Sequence, residues 1–325
     1  MNKRRKILVS YFKISSLILL ALLAKSLYFK FSPERIFTAY YPKIEYQKEI
    51  LSKSNQDFQT LILGDSLATF NVKSPLISSS TLNLGLFGAT FVEVFWSLQK
   101  YLEHNQTPQT IILLNGQNWE HKKEREFWPY YVGFGFFSLE ELLAIYKQEG
   151  ASSLLTVMKW LYYSSGIPNY NFAQLQTSLL KGSEIQRNNQ FIEQLLKRDN
   201  GSMVLKERYP LDRPVFQPYH QQYLEAFKVH PSNDFYFKKL LKLASDNNIQ
   251  VIMIESPLMP LVQNETAYSS FQEQVRNYYQ KRLAPFHFKY CQDTVTTYQD
   301  KDFFDLDHLL ESGSEKFSQF IKSCL

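Results

Sequence analysis

Gly64-Asp65-Ser66-Leu67 follows directly on the apolar run Leu61-Ile62-Leu63, and Asp305-Leu306-Asp307-His308 stands about 240 residues further on. These residue types supply nucleophilic chemistry. A serine hydroxyl is a poor nucleophile until an adjacent base takes its proton. Neutral imidazole does that near pH 7, which makes His308 the candidate base for Ser66. Asp305 lies three residues before His308, on the same face of a turn, and is the expected orienting acid. Asp307 is adjacent to His308 and is expected to face elsewhere. An attacked carbonyl becomes an oxyanion and needs donors, each worth about 3 kcal/mol. The expected donors are the N–H of Ser66, a glycine N–H at Gly85 or Gly88, and the side-chain amide of Asn118. The remaining histidines, His104, His121, His220, His230 and His287, show no ligand spacing, so neither a metal nor another cofactor is expected.

The elements that must position these groups are legible as short apolar runs. Thr60–Gly64, Thr81–Leu86, Thr110–Leu114, Ile249–Glu255 and Phe286–Tyr290 read as strands covered on both faces. Val92–His104, Ser232–Asp246, Tyr268–Leu283 and about 312–322 read as helices between or after them. Strands alternating with helices predict a parallel, doubly wound α/β sheet. Ligand sites of such sheets form at the carboxyl ends of the strands. Gly64–Leu67, Gly85–Gly88 and Gly116–Asn118 all fall at such ends, and Asp305–His308 follows the last strand. Residues 120–235 break the alternation and read as a helical insertion, with a capping box at Ser138–Glu141, an end mark at Gly150, and helices near 152–164, 171–181 and 184–198. Within it, Trp119–Phe137 holds eight aromatic residues. They suit packing of the insertion, a sugar-stacking wall, or an edge resting on a membrane.

At 325 residues and 44% hydrophobic, the chain has ample material for a core. Its formal charge of +5 is uneven. Residues 1–30 carry seven basic side chains and no acidic one, leaving 29 basic against 31 acidic residues in the rest. The body is therefore not a nucleic-acid surface. Lys3-Arg4-Arg5-Lys6 followed by a largely apolar stretch to Phe31 reads as a signal anchor, with a cleaved signal peptide as the alternative. Such an anchor places residues 1–31 in the membrane, makes 32–57 a stalk, and puts the 58–325 domain outside the cytoplasm. Cys291 and Cys324 are the only cysteines. A disulfide and two buried thiols are both open.

In order along the chain, Gly64–Leu67, Gly85 or Gly88, Gly116-Gln117-Asn118 and Asp305–His308 resemble the sequence blocks of the SGNH, or GDSL, hydrolase superfamily. Trp119 stands where the third block usually continues with Asp. The resemblance implies a three-layer, flavodoxin-like α/β/α fold and Ser–His–Asp ester chemistry without a metal. With the anchor, the chain is also similar to the cell-envelope branch of that superfamily. The expectation is a membrane-anchored, extracytoplasmic serine esterase or O-acyltransferase using Ser66, His308 and Asp305 on acylated carbohydrate, with a membrane-bound acyltransferase as a possible partner. The alternatives are a non-catalytic accessory protein of envelope polymer assembly and a lipase-like activity.

Overall fold

The computed structural model describes residues 3–35, 40–114, 127–165, 172–206, 227–263, 266–293 and 296–325; for 3–11, 18, 19, 22, 29, 172–175, 266 and 267 it describes the backbone alone. The chain divides into two compact units, one of residues 1–42 with 127–191, the other of 43–126 with 192–325.

The second unit holds the sheet. Its strands are β1 (Thr60–Gly64), β2 (Thr81–Asn83), β3 (Thr110–Leu114), β4 (Gln250–Ile254) and β5 (Lys289–Cys291), in the order β2-β1-β3-β4-β5. Every pairing is parallel, with Thr60 opposite Thr81 and Thr110. All five residues of β1 are buried, as are four of the five in β3 and in β4. Continuous aliphatic runs form these strands because both faces are covered; each fully buried Leu or Ile contributes about 1.5–3 kcal/mol. Helix Phe91–His104 starts at a capping box in which Glu93 Oε2 accepts the Thr90 N–H at 2.8 Å. Its face of Phe91, Val94, Phe95 and Leu98 is buried.

Several boundaries differ from the sequence reading for identifiable reasons. The second strand ends at Asn83, not Leu86, because the Asn83 side chain accepts the Gly85 N–H and bends the chain. Ala284–Phe286 is a 3-10 turn closed by His287 at φ 56°, so β5 begins only at Lys289. The helix expected from Ser232 begins at Pro231, whose fixed φ suits a first helical position. Residues 32–57 are not simply a stalk. Helix Tyr40–Ser52 buries Ile44, Tyr46, Ile50 and Leu51, and Gln47 donates to Leu84 O and Ser97 Oγ. Lys43 is fully buried with its Nζ donating to Asn83 O and Gly201 O; burial lowers its pKa to about 7.

The first unit is helical: Lys3–Phe31, Leu139–Gln148, Ser153–Ser164 and most of Phe172–Arg198. The Ser138 capping box forms as expected. The two helices expected at 171–181 and 184–198 are one; Gly182 does not interrupt it, and a side chain there would crowd Arg35. The aromatics from Phe127 to Phe137 engage one another and the helices beside them. Trp128 stacks on Tyr146 and Tyr163, and Phe137 packs on Phe127 and Phe136. Those ring faces are occupied, which favours packing over a sugar-stacking wall; Trp119 lies outside the described residues. Among the described residues, no helix is long and apolar enough to cross a membrane.

Candidate active site

Ser66, the candidate nucleophile, is placed by a strand end that only glycine allows. Gly64 closes β1 at φ 153°, and a Cβ there would sit 1.5 Å from the Leu114 carbonyl oxygen. The chain turns at once into the short helix Ser66–Asn71, with Asp65 as N-cap accepting the Leu67 N–H at 2.9 Å. Asp65 is thus structural, and Ser66 is the first helical residue, half-buried. Its N–H has no intrahelical acceptor, as at any first turn.

His308, the candidate base, arrives on a closed loop. Phe303 and Leu309 form an antiparallel bridge, and Phe304 N–H donates to His308 O at 2.8 Å. Asp302, fully buried at the neck of this loop, accepts from Gln299 N–H, Ser312 Oγ and Lys316 Nζ. Asp305–His308 is the tip.

The two pieces meet. His308 Nε2 lies 2.8 Å from Ser66 Oγ, and His308 Nδ1 lies 3.0 and 2.9 Å from the two Asp305 oxygens. Asp305 Oδ1 also accepts the backbone N–H groups of Asp307 and His308, which fixes the carboxylate before it meets the ring. A carboxylate only accepts, so in the neutral ring the proton sits on Nδ1 and Nε2 is free to take the Ser66 proton. Phe70 meets the imidazole edge-to-face, centroids 5.3 Å apart.

Asp307 does not face away as expected. Its Oδ1 comes within 3.1 Å of His308 Nδ1, so two carboxylates flank one imidazole nitrogen. Adjacency on a tight loop tip, with both backbone N–H groups drawn to Asp305, brings the two acids together. Burial pushes the His308 pKa down, but the Asp307 charge and the Asp305 hydrogen bond outweigh it and hold the imidazole well above the usual histidine value. Burial pushes Asp305 up, and the His308 hydrogen bond reverses that, leaving it below the ordinary carboxylate value. Asp305, Asp307 and His308 have ligand atoms within 4.8 Å of one another. A cation there would compete for the carboxylates that hold the imidazole.

The expected oxyanion donors separate. Gly85 is set against the nucleophile helix, where a Cβ would meet Ala68 Cβ at 2.7 Å, but its N–H is spent on Asn83 Oδ1 at 2.9 Å. It is a close-packing residue, not a donor. Gly88 is exposed on a turn at φ 64°. Asn118, with the whole third block Gly116–Asn118, lies outside the described residues. Asn83 is structural: its Nδ2 donates to Ala68 O and Ser202 Oγ.

One residue of the site escaped the sequence reading. Asn71 ends the helix that Ser66 begins, and it is fully buried. Its Nδ2 donates to Asp307 O and Ser256 Oγ, each at 2.8 Å, and its Oδ1 accepts the Leu309 N–H at 2.7 Å. One amide therefore clips the His308 loop to the Ser66 helix. The only signal in the sequence was a polar residue five positions after Ser66, in a stretch otherwise packed against the sheet.

Ser256 also belongs to a cleft of about 430 Å³ at the carboxyl ends of β4 and β5. Glu255, Gln272, Gln292, Asp293 and Tyr298 line it, and no lysine, arginine or histidine does among the described residues. Burial raises the Glu255 pKa against the opposing influence of Tyr290 and Arg276. Asp293 holds the Tyr298 hydroxyl at 2.9 Å. Met259 N–H donates to Leu306 O, joining the loop that carries Ser256 to the base's loop. Compared with known proteins, the chain matches no protein-family model and no curated protein.

Proposed function

We propose that the chain is a membrane-anchored, extracytoplasmic serine esterase or O-acyltransferase of the SGNH/GDSL type, acting on acyl esters of cell-envelope carbohydrate. The observation that carries the reading is the unbroken hydrogen-bonded line from Ser66 Oγ through His308 to Asp305. Ser66 Oγ bonds to the acyl carbon as its proton passes to Nε2; the same proton leaves on the departing alcohol oxygen as the ester bond breaks. The acyl-serine is then cleaved by water or by a sugar hydroxyl, again deprotonated by His308. Asp305 stays ionised and stabilises the imidazolium. The Ser66 N–H is the oxyanion donor the geometry supports, with Gly88 and Asn118 as the second and third in the superfamily's pattern.

Three further features support the reading. The order β2-β1-β3-β4-β5 is the flavodoxin-like one, in keeping with a three-layer α/β/α domain. Cys291 and Cys324 form a disulfide, which suits an oxidising compartment outside the cytoplasm. The cleft beside the His308 loop offers amides, hydroxyls and carboxylates and, among the described residues, no cation, a lining suited to an uncharged polyol. A membrane-bound acyltransferase is the proposed acyl donor where transfer occurs.

A fluorophosphonate probe applied to the full-length protein is expected to label wild type and not Ser66→Ala. Absence of Ser66-dependent labelling in folded protein would refute the enzyme. It would favour the non-catalytic accessory reading, to which Trp119 in the third block and the committed Gly85 N–H already point.

A further inference from the structure

Helix Ser153–Ser164 turns an apolar row outward. Leu154, Leu155, Met158, Leu161 and Tyr162 recur at the spacing of a single helical face. Their exposures run from 51% for Tyr162 to 70% for Leu154. The opposite side of the same helix is engaged: Thr156 is buried, Lys159 lies over the Trp128 ring at 5.4 Å, and Tyr163 stacks on Trp128. Lys159 is the helix's one charged residue. The helix therefore has an inside, and the row is its outside. On helix Phe172–Arg198, Leu179 and Leu180 are also turned out, at 67% and 76%.

Contiguous apolar surface of this kind in water marks a partner. The same unit holds the helix Lys3–Phe31, whose Leu17, Leu20, Leu23 and Leu27 are exposed as well. The far end of that helix is bonded to the C-terminal end of one and to the second turn of the other. Ser26 Oγ donates to the carbonyl of Ser165, the C-cap of helix Ser153–Ser164, and Tyr28 Oη bonds Ser178 Oγ at 2.9 Å, next to Leu179. These two bonds set the last turns of the first helix beside both neighbouring helices, at the end from which an anchoring helix leaves a bilayer. Helix Ser153–Ser164 has 12 residues, about 18 Å, well short of the roughly 30 Å of a hydrocarbon core. It can lie on a membrane but cannot cross one.

We propose that helix Ser153–Ser164 lies in the plane of a lipid bilayer, its Leu154–Tyr162 row sunk to the acyl boundary beside Leu179 and Leu180. The anchoring segment is then one part of a membrane-resting unit instead of a lone tether. The direction of the membrane rests on the anchor reading of the first helix, so the test reports on both separately.

Cys291 and Cys324 are the chain's only cysteines and are joined to each other, so an introduced cysteine is the sole free thiol. Met158→Cys, Leu20→Cys and Lys242→Cys are each spin-labelled in full-length protein in vesicles of phosphatidylcholine with a minority of phosphatidylglycerol. Collision with oxygen, which concentrates in lipid, is compared with collision with a water-soluble nickel chelate. The label at 158 is expected to favour oxygen several-fold over the one at 242, which sits on an exposed lysine of the sheet unit. A water-like signal at 158 with a lipid-like signal at 20 overturns the resting face and leaves the anchor standing. Water-like signals at both remove the anchor as well. A label at 158 shielded from both reagents shows a protein cover, a second copy or another chain, and also overturns the proposal.

Discussion

Two carboxylates serve one imidazole, and they do so unequally. Asp305 is in line with Nδ1 and is itself held by two backbone N–H groups. Asp307 approaches Nδ1 with an oxygen that makes no other hydrogen bond among the described residues. Both raise its pKa, the Asp307 charge most, and Asp305 also orients the ring. A general base must be neutral, so activity is lost as pH falls through the His308 pKa, and that pKa lies well above the usual histidine value. Asp307→Asn removes a raising charge. The acidic limb of kcat/KM on a small aryl acetate is therefore expected to move to lower pH, with more activity at neutral pH than wild type. Asp305→Asn is expected to cut kcat by about 10³–10⁴-fold at every pH, as loss of an orienting acid does. An unmoved limb in Asp307→Asn would show that its charge does not reach the ring.

Asn71 shows how the elements are coupled. The helix Ser66–Asn71 carries the proposed nucleophile at its first residue and, at its last, the amide that grips the His308 loop from Asp307 to Leu309. Asn71→Ala frees that loop without touching substrate. It is a positioning residue, so kcat is expected to fall by roughly 10–10²-fold with KM little changed, while β-sheet circular dichroism is retained. A KM effect of equal size would indicate a substrate contact instead. The limits of the sequence reading follow the same line. Strands β1 and β3 were legible because five-residue aliphatic runs have few alternatives, and Ser66 and His308 because their motifs fall at strand ends. The reach of Asn71 was not, since a lone amide carries no periodicity and its partners are about 185 and 238 residues away. Nor was the Gly85 N–H, whose acceptor is the side chain two residues back, a choice made by turn geometry and not by composition. Helix Tyr40–Ser52 read as part of a stalk because Lys43 and Gln47 are buried against expectation, each donating to backbone carbonyls.

On the scale of the whole molecule, the disulfide Cys291–Cys324 spans 33 residues, and that ring contains Asp305 and His308 but not Ser66. It joins the end of β5 to the end of the final helix. Replacing both cysteines by serine is expected to cost about 3–4 kcal/mol of stability, the loop-closure value for a ring of this length, measured as a shift of the urea midpoint. A cost near zero would mean the final helix is already held by packing alone. Order along the chain is also order in time. Ser66 and its proposed base are 242 residues apart, so at about 5–20 residues per second the ribosome makes the serine roughly 12–50 seconds before the group proposed to arm it. During that interval the nascent chain carries an inert alcohol past every ester it meets.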